Sequence, residues 1–279
     1  MHGVSMASSL KFGAQHEAAQ AIRTHLFIIS PNNSGSTFLR RSFEYSDKVW
    51  WLPREGQHMP GFVGPSTRDT DDALIWNASA GRRARYLDPA VYDWQQTRKA
   101  WYFLSRSHGA DGPVFVTSSP PFLLNMNVLD RHFEDARFIL LTRDPYAVAE
   151  GILRRPIERL LATGEDKYQL VAKHIGHCLR WQLRNIASRH ANSFRLTYED
   201  MANDPAGTAA RICAFLPMIG DYSLDRAIPI KNLYFETVRN MNGDAFSRLT
   251  DDAIDKLRAG FADFADTIET LGYEPRGPL

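Results

Sequence analysis

Four short and nearly uninterrupted apolar runs constrain the fold of this chain most strongly. They lie at residues 26–29, 113–117, 137–142 and 193–198, and residues 48–52 (KVWWL) are a candidate for a fifth. Apolar runs without polar alternation are typical of strands that are covered on both faces. Because helical patterns separate the runs, we predict an α/β fold of three layers, with a central parallel sheet flanked by helices.

The helical patterns fill the segments between and after the apolar runs. The predicted helices are residues 37–45, 88–107, 121–133, 146–153, 165–190, 205–216 and 251–271. Ligands of open parallel sheets bind beyond the carboxyl ends of the strands. We therefore expect a ligand site at the turns that follow the apolar runs 26–29 and 137–142.

Length and composition exclude several classes of protein. The chain has 279 residues and a net charge of +1, which predicts one domain over 1–279 and no nucleic-acid partner. No apolar run is long enough to cross a bilayer, and residues 1–20 lack the apolar core of a signal peptide, so we predict a cytoplasmic protein without a transmembrane segment. Residues 1–20 are predicted to be loosely ordered, and residues 69–85 to form a surface loop or lid.

The turn after the first strand is suited to close approach of a ligand. It reads PNNSGST over residues 31–37, and Gly35 permits a positive φ. The helix that follows leaves its first N–H groups unpaired, and such groups bind phosphate or sulfate. With one glycine and no lysine, the segment does not match the P-loop of NTPases. A capped helix start without a ligand is the alternative interpretation.

A second turn offers a cation at the end of a buried strand. Residues 138–145 read FILLTRDP, and Pro145 suits the first turn of a helix. The guanidinium of Arg143 is well placed there to bind a phosphate with two donors. The alternative is a surface ion pair between Arg143 and Asp144.

These segments, taken in order, resemble the signatures of the PAPS-dependent sulfotransferase family, where PAPS is 3′-phosphoadenosine 5′-phosphosulfate. PNNSGST stands where the family has P-x-[KR]-S-G-T-T, and residues 143–145 match R-[DN]-P after the lead-in at 131–139. Trp181 precedes the family's Y-E-D-[LM] at residues 198–201, and L-G-Y stands at 271–273. The pattern is bacterial-type and is nearest to that of the tyrosylprotein sulfotransferase branch.

The resemblance implies a P-loop-like sulfotransferase fold and transfer of a sulfuryl group from PAPS to a hydroxyl or amine, with release of PAP and without a metal. The implied acceptor is a small molecule, a carbohydrate or a peptide. The loop would bind the 5′ side of the nucleotide, and Arg143 would bind the 3′-phosphate. The implied nucleotide-binding residues are Asn32, Asn33, Ser34, Gly35, Ser36, Thr37, Arg143, Arg155, Tyr198 and Asn242.

Two residues are candidates for the general base that takes the proton of the acceptor. In the tyrosylprotein branch a glutamate just after the first helix has this role, and Glu55 looks like its counterpart. Other branches use histidine, which makes His58 the second candidate. An exposed turn carboxylate without a role in catalysis is the alternative for Glu55.

Two positions depart from the family pattern. Asn33 stands where the family has a lysine or arginine, and Gly151 where it has a serine that binds the 3′-phosphate. Another cation would have to serve in the loop. The candidates for the two replacements are Arg40, Arg41 and Lys231 for the cation, and Arg154 and Arg155 for the serine. A PAP- or PAPS-binding protein that has lost transfer is therefore the alternative function, and a kinase is disfavoured by the absent P-loop lysine.

Overall fold

Five parallel strands form the central sheet of the protein. The computed structural model describes residues 18–67, 73–109, 111–158, 161, 164–188, 191–230 and 234–277. The strands of the sheet are β1 (Thr24–Ile29), β2 (Val49–Trp51), β3 (Val114–Ser118), β4 (Ala136–Thr142) and β5 (Ser193–Thr197). Their order is β2-β3-β1-β4-β5, and every neighbouring pair is parallel. The predicted α/β class is confirmed, and each of the five apolar runs is a strand.

Helices cover both faces of the sheet. They are α1 (Ser36–Ser42), α2 (Ala80–Leu87), α3 (Trp94–Leu104), α4 (Met126–His132), α5 (Pro145–Leu153), α6 (Lys167–Ala187), α7 (Tyr198–Asn203), α8 (Pro205–Phe215), α9 (Asn242–Phe246), α10 (Asp251–Phe261) and α11 (Ala265–Thr270). A two-stranded antiparallel hairpin, β6 (Ile228–Ile230) and β7 (Tyr234–Glu236), precedes α9. None of the helices in the described ranges is long and apolar enough to span a membrane.

The alternation of side chains along β1 explains the three layers. All six residues of this strand are buried. Phe27 and Ile29 belong to the apolar cluster that includes Trp101 of α3, whereas Leu26 and Ile28 belong to the cluster that includes Leu39 of α1. Because successive side chains of a strand point to opposite faces, a continuous apolar run fills both layers at once.

The predicted helix at 88–107 is shorter in the structure and is divided in two. A 3₁₀ turn occupies Pro89–Val91, and α3 begins only at Trp94. Asp88 and Asp93 each accept a hydrogen bond from a backbone N–H two or three residues later, at 2.9 and 2.8 Å. Two N-terminal caps so close together start two separate helical segments.

Residues 69–85 were predicted to form a surface loop or lid, but the part that the structure describes, 73–85, is partly buried and partly helical. Ile75 and Trp76 are fully buried, and α2 begins at Ala80. The N–H of Asn77 donates to Nδ1 of His174 on α6 at 3.1 Å, which fixes the segment against the core. Residues 69–72 lie outside the described residues, as do residues 1–17 of the segment predicted to be loosely ordered.

Candidate functional site

A cavity of about 730 Å³ opens where the turns after β1 and β4 come together. These two strands are neighbours in the sheet, so their carboxyl ends lie side by side. The predicted site residues that line the cavity are Asn32, Asn33, Gly35, Ser36, Thr37, Glu55, His58, Arg143, Arg155 and Tyr198. Ser34 of the same loop is fully buried, and Asn242 reaches the site through a hydrogen bond to Arg143.

The loop after β1 contains two left-handed residues. Asn33 has φ 57° and Gly35 has φ 90°, and Gly35 is the residue that caps the N-terminus of α1. The first turn of α1 carries no acidic side chain, so its N–H groups remain suited to an anion. Asn32 holds the loop from the other side, because its Oδ1 accepts from Nε1 of Trp76 at 2.8 Å. The loop is thus held in shape by residues 73–77.

Gly35 is also the point where the loop touches Tyr198. A β-carbon added at Gly35 would lie 2.7 Å from Cδ2 of that ring. We expect Gly35→Ala to lower the free energy of unfolding by about 1–3 kcal/mol, because alanine is strained at this φ and also clashes with the ring. Urea unfolding measures the change.

Gly81→Ala is the matched control for this substitution. Gly81 lies in α2, and nothing stands within 4 Å of an added β-carbon. Alanine is favoured over glycine inside a helix, so this variant is expected to be equal or slightly higher in stability. Equal effects at the two glycines would contradict the structural account of the loop.

Arg143 connects three parts of the site. Its Nη1 donates to the carbonyl oxygen of Asn33 at 3.1 Å, and its Nε donates to Oδ1 of Asn242 at 2.9 Å. The guanidinium lies 4.1 Å from the centre of the Tyr198 ring. Burial lowers the pKa of Arg143 from its usual value, partly offset by Tyr198 and Glu199. The side chain is therefore held rigidly, with its remaining donors available to a ligand.

Asp144, next along the chain, starts α5. Its Oδ1 accepts from the N–H groups of Tyr146 and Ala147 at 2.8 and 3.0 Å, and Pro145 occupies the first helical position. Burial raises the pKa of Asp144 to about 6. This carboxyl is committed to the helix and not to a surface pair with Arg143.

Glu199 joins the turns of the site, and sequence reasoning missed this role. Its Oε1 accepts from the N–H of Asp144 at 3.0 Å and from Nδ2 of Asn242 at 2.6 Å. Its Oε2 accepts from the hydroxyl of Tyr273 at 3.1 Å. The Y-E-D-M and L-G-Y segments of the sequence therefore meet at one carboxylate. Their joint presence among the family signatures is the sequence signal from which a shared location could have been inferred.

The segment between β7 and α9 closes one side of the cavity. The hydroxyl of Tyr198 donates to the carbonyl oxygen of Arg239 at 2.8 Å and accepts from the N–H of Met241 at 3.1 Å. The cavity is lined by four residues of this segment, Thr237, Val238, Arg239 and Met241. Tyr198 thereby holds this segment beside the loop after β1.

The cavity is strongly cationic. Its arginines are Arg143, Arg154, Arg155, Arg239 and Arg248, against the carboxylates Glu55 and Glu150. Glu150 is buried and accepts from Nε and Nη2 of Arg248 at 2.7 and 3.2 Å. Although the net charge of the chain is only +1, positive side chains are concentrated around this cavity. Such a concentration favours a ligand with several negative charges.

Both candidate bases lie on one 3₁₀ turn at the cavity. Nδ1 of His58 is 3.7 Å from Oε2 of Glu55, and the same Oε2 accepts from Nε2 of Gln57 at 3.0 Å. Nε2 of His58 lies 3.2 Å from Oγ1 of Thr67. The turn is fixed to the core because Nε1 of Trp101 donates to the carbonyl oxygen of Gly56 at 3.1 Å.

The candidate replacements for the loop cation differ in position. Arg40 is buried and donates to Glu44 and to the carbonyl oxygen of Leu52, at 3.1 and 2.6 Å. Arg41 donates to the carbonyl oxygen of Pro229. Neither of the two lines the cavity, and Lys231 lies outside the described residues. The two candidate replacements for the serine, Arg154 and Arg155, both line the cavity, and Nη2 of Arg155 is 3.4 Å from Oδ1 of Asn33.

Comparison with known proteins identifies the family and the fold. The model of the sulfotransferase family matches residues 25–219, and no curated protein matches the chain. The sulfotransferase domain from the curacin biosynthetic pathway superposes with a TM-score of 0.54 at 19% identity, covering 89% of this chain and 97% of that one. A sulfotransferase from Alicyclobacillus acidocaldarius gives 0.53 at 16% identity, covering 89% and 95%. Sulfotransferase STF9 from Mycobacterium avium gives 0.51 at 15% identity, covering 97% and 82%.

Proposed function

The chain belongs to the sulfotransferase family, and on that premise we propose that it transfers a sulfuryl group from PAPS to a hydroxyl or amine of an acceptor and releases PAP. One observation carries the proposal: the loop after β1, Arg143 and the Glu55 turn line the same cationic cavity. Such a cavity suits a nucleotide with charged groups at both ends. The acceptor would be a small molecule, a carbohydrate or a peptide.

The nucleotide end of the proposed reaction rests on the two turns after β1 and β4. The loop residues Asn32, Gly35, Ser36 and Thr37 line the cavity next to the start of α1, which suits the 5′-phosphosulfate. Arg143 would bind the 3′-phosphate with the donors that Asn33 and Asn242 leave available. The ring of Tyr198 stands between these groups and would contact the nucleotide.

The transfer step would require a base and stabilisation of the leaving group. Glu55 would take the proton of the acceptor as its oxygen or nitrogen attacks sulfur, while the bond from sulfur to the 5′-phosphate oxygen breaks. Negative charge then grows on PAP, where N–H groups at the start of α1 and neighbouring arginines would stabilise it. No protein side chain needs to be covalently modified in this scheme.

Ligand-induced stabilisation tests the nucleotide side. PAP at millimolar concentration is expected to raise the melting temperature by several degrees, because a ligand that binds only the folded state stabilises it by about 2.7 kcal/mol at 100 times its Kd. Mg·ATP is the control and is expected to have a much smaller effect, since the loop has no P-loop lysine. A protein that PAP does not stabilise would contradict the proposal.

A second candidate is a PAP- or PAPS-binding protein without transferase activity. The observation that favours it is the uncharged loop, since residues 31–37 contain no lysine or arginine. A preorganised cation at such a position contributes several kcal/mol to many transfer reactions. PAP formation from PAPS with a broad panel of hydroxyl and amine acceptors separates the two candidates, and turnover with any acceptor would exclude the second.

A further inference from the structure

The side chain of Asn33 packs against Gly151 of α5. A β-carbon added at Gly151 would lie 3.3 Å from Cγ of Asn33 and 3.4 Å from its Nδ2. The amide of Asn33 therefore borders the space that a side chain at position 151 would occupy. The two positions at which the sequence departs from the family signatures are thus neighbours in the structure.

The amide of Asn33 has one orientation that satisfies its neighbour. Nη2 of Arg155 is 3.4 Å from Oδ1 of Asn33, and a guanidinium can only donate, so the amide oxygen faces Arg155. Nδ2 then faces away, is shielded from solvent and has no acceptor among the described residues. An unpaired donor of this kind is unfavourable unless a ligand oxygen accepts from it.

Two guanidinium groups converge on the same residue. Arg143 donates to the backbone oxygen of Asn33, and Arg155 lies at its side-chain oxygen. All three residues line the cavity. A residue that carries an amide donor and is contacted by two arginines suits a phosphate monoester, which offers several acceptor oxygens and up to two negative charges.

We infer that the Asn33 amide binds the 3′-phosphate of the nucleotide and determines the preference for a 3′-phosphorylated ligand, replacing the hydroxyl that a serine at position 151 would provide. The inference rests on the proposed function. It moves Asn33 from the 5′ side, where the loop signature places it, to the other end of the nucleotide. It also explains why a glycine at position 151 accompanies an asparagine at position 33.

The ratio of affinities for PAP and 5′-AMP tests the inference, because 5′-AMP lacks only the 3′-phosphate. Calorimetric titration of Asn33→Gly is expected to show this ratio reduced about tenfold, the effect of losing one hydrogen bond to a charged group. Glycine adopts φ 57° without strain, and any general loosening of the loop affects both ligands and cancels in the ratio.

A second substitution, at position 151, is expected to restore a hydrogen-bond donor to the 3′-phosphate. Adding Gly151→Ser to Asn33→Gly is expected to recover most of the tenfold loss, because the serine hydroxyl enters the space that the amide has left. Adding Gly151→Ala instead supplies the β-carbon without the hydroxyl and is expected to recover none of it. Asn185→Ala is the control at a distant position. Asn185 lies on α6 and donates to the carbonyl oxygen of Leu123, and its substitution is expected to leave the ratio unchanged.

Three outcomes would overturn the inference. Asn33→Gly with an unchanged ratio, or equal recovery with serine and alanine at position 151, would overturn it while leaving PAP binding and the proposed function intact. Absence of PAP binding to the unaltered protein would overturn both.

Discussion

Glu55→Gln is expected to lower the rate of sulfuryl transfer at least about 100-fold while leaving the affinity for PAP unchanged. Glutamine has nearly the same shape as glutamate but cannot accept the proton of the acceptor. The hydrogen bond of Glu55 to Gln57 and the fixed 3₁₀ turn favour retention of the local structure. PAP release under single-turnover conditions measures the rate, and calorimetric titration measures the affinity.

Two further variants make this result specific. His58→Asn is expected to lower the rate by less than Glu55→Gln, since His58 is the second candidate and lies 3.7 Å from the carboxylate. Glu269→Gln changes an exposed carboxylate of α11 and is expected to leave the rate unchanged. A larger loss with His58→Asn than with Glu55→Gln would reverse the assignment of the base.

Arg143→Ala is expected to weaken PAP binding about 100-fold or more, because each hydrogen bond to a charged group contributes about 1.5–3 kcal/mol. The substitution also removes the donors that hold Asn33 and Asn242. Calorimetric titration with PAP measures the loss. The affinity for 5′-AMP is expected to fall less, because the 3′-phosphate is absent from that ligand.

Arg143→Lys separates charge from geometry. Lysine keeps the positive charge but lacks the planar fork of donors with which a guanidinium binds a phosphate bidentately, so we expect an affinity between those of the unaltered protein and Arg143→Ala. Arg85→Ala removes an exposed arginine of α2 and controls for the change in net charge. Equal affinities of Arg143→Ala and the unaltered protein for PAP would contradict the placement of the 3′-phosphate at Arg143, provided that both unfold at similar urea concentrations.

The local sequence patterns were sufficient to predict the strands of the sheet and both turns of the site. A strand covered on both faces is apolar at nearly every position, so residues 26–29 and 137–142 were recognisable as strands without any knowledge of their partners. The helix starts after them were equally visible, because Gly35 permits a positive φ that few other residues adopt and Pro145 suits the first turn of a helix. Helix ends were predicted less well where caps divide a helical pattern, as at Asp93.

Burial of residues 75–78 was not predictable from these residues alone. Their sequence is mixed, and their position depends on Trp76 contacting Asn32 and on Asn77 contacting His174, far along the chain. The role of Glu199 was hidden for the same reason, since its partners Asp144, Asn242 and Tyr273 come from three separate segments.

The sequence by itself determined the class of fold, the family signatures and which residue types stand at the two turns. Only the tertiary structure decided that Asn33 lies beside Gly151 and that Arg143 and Arg155 converge on Asn33. The physical reason lies in the strand order: β1 and β4 are neighbours, so residues 110 positions apart in the chain come within hydrogen-bonding distance. Periodicity and turn chemistry report on a residue's immediate neighbours, whereas the pairing of strands determines which turns share a cavity.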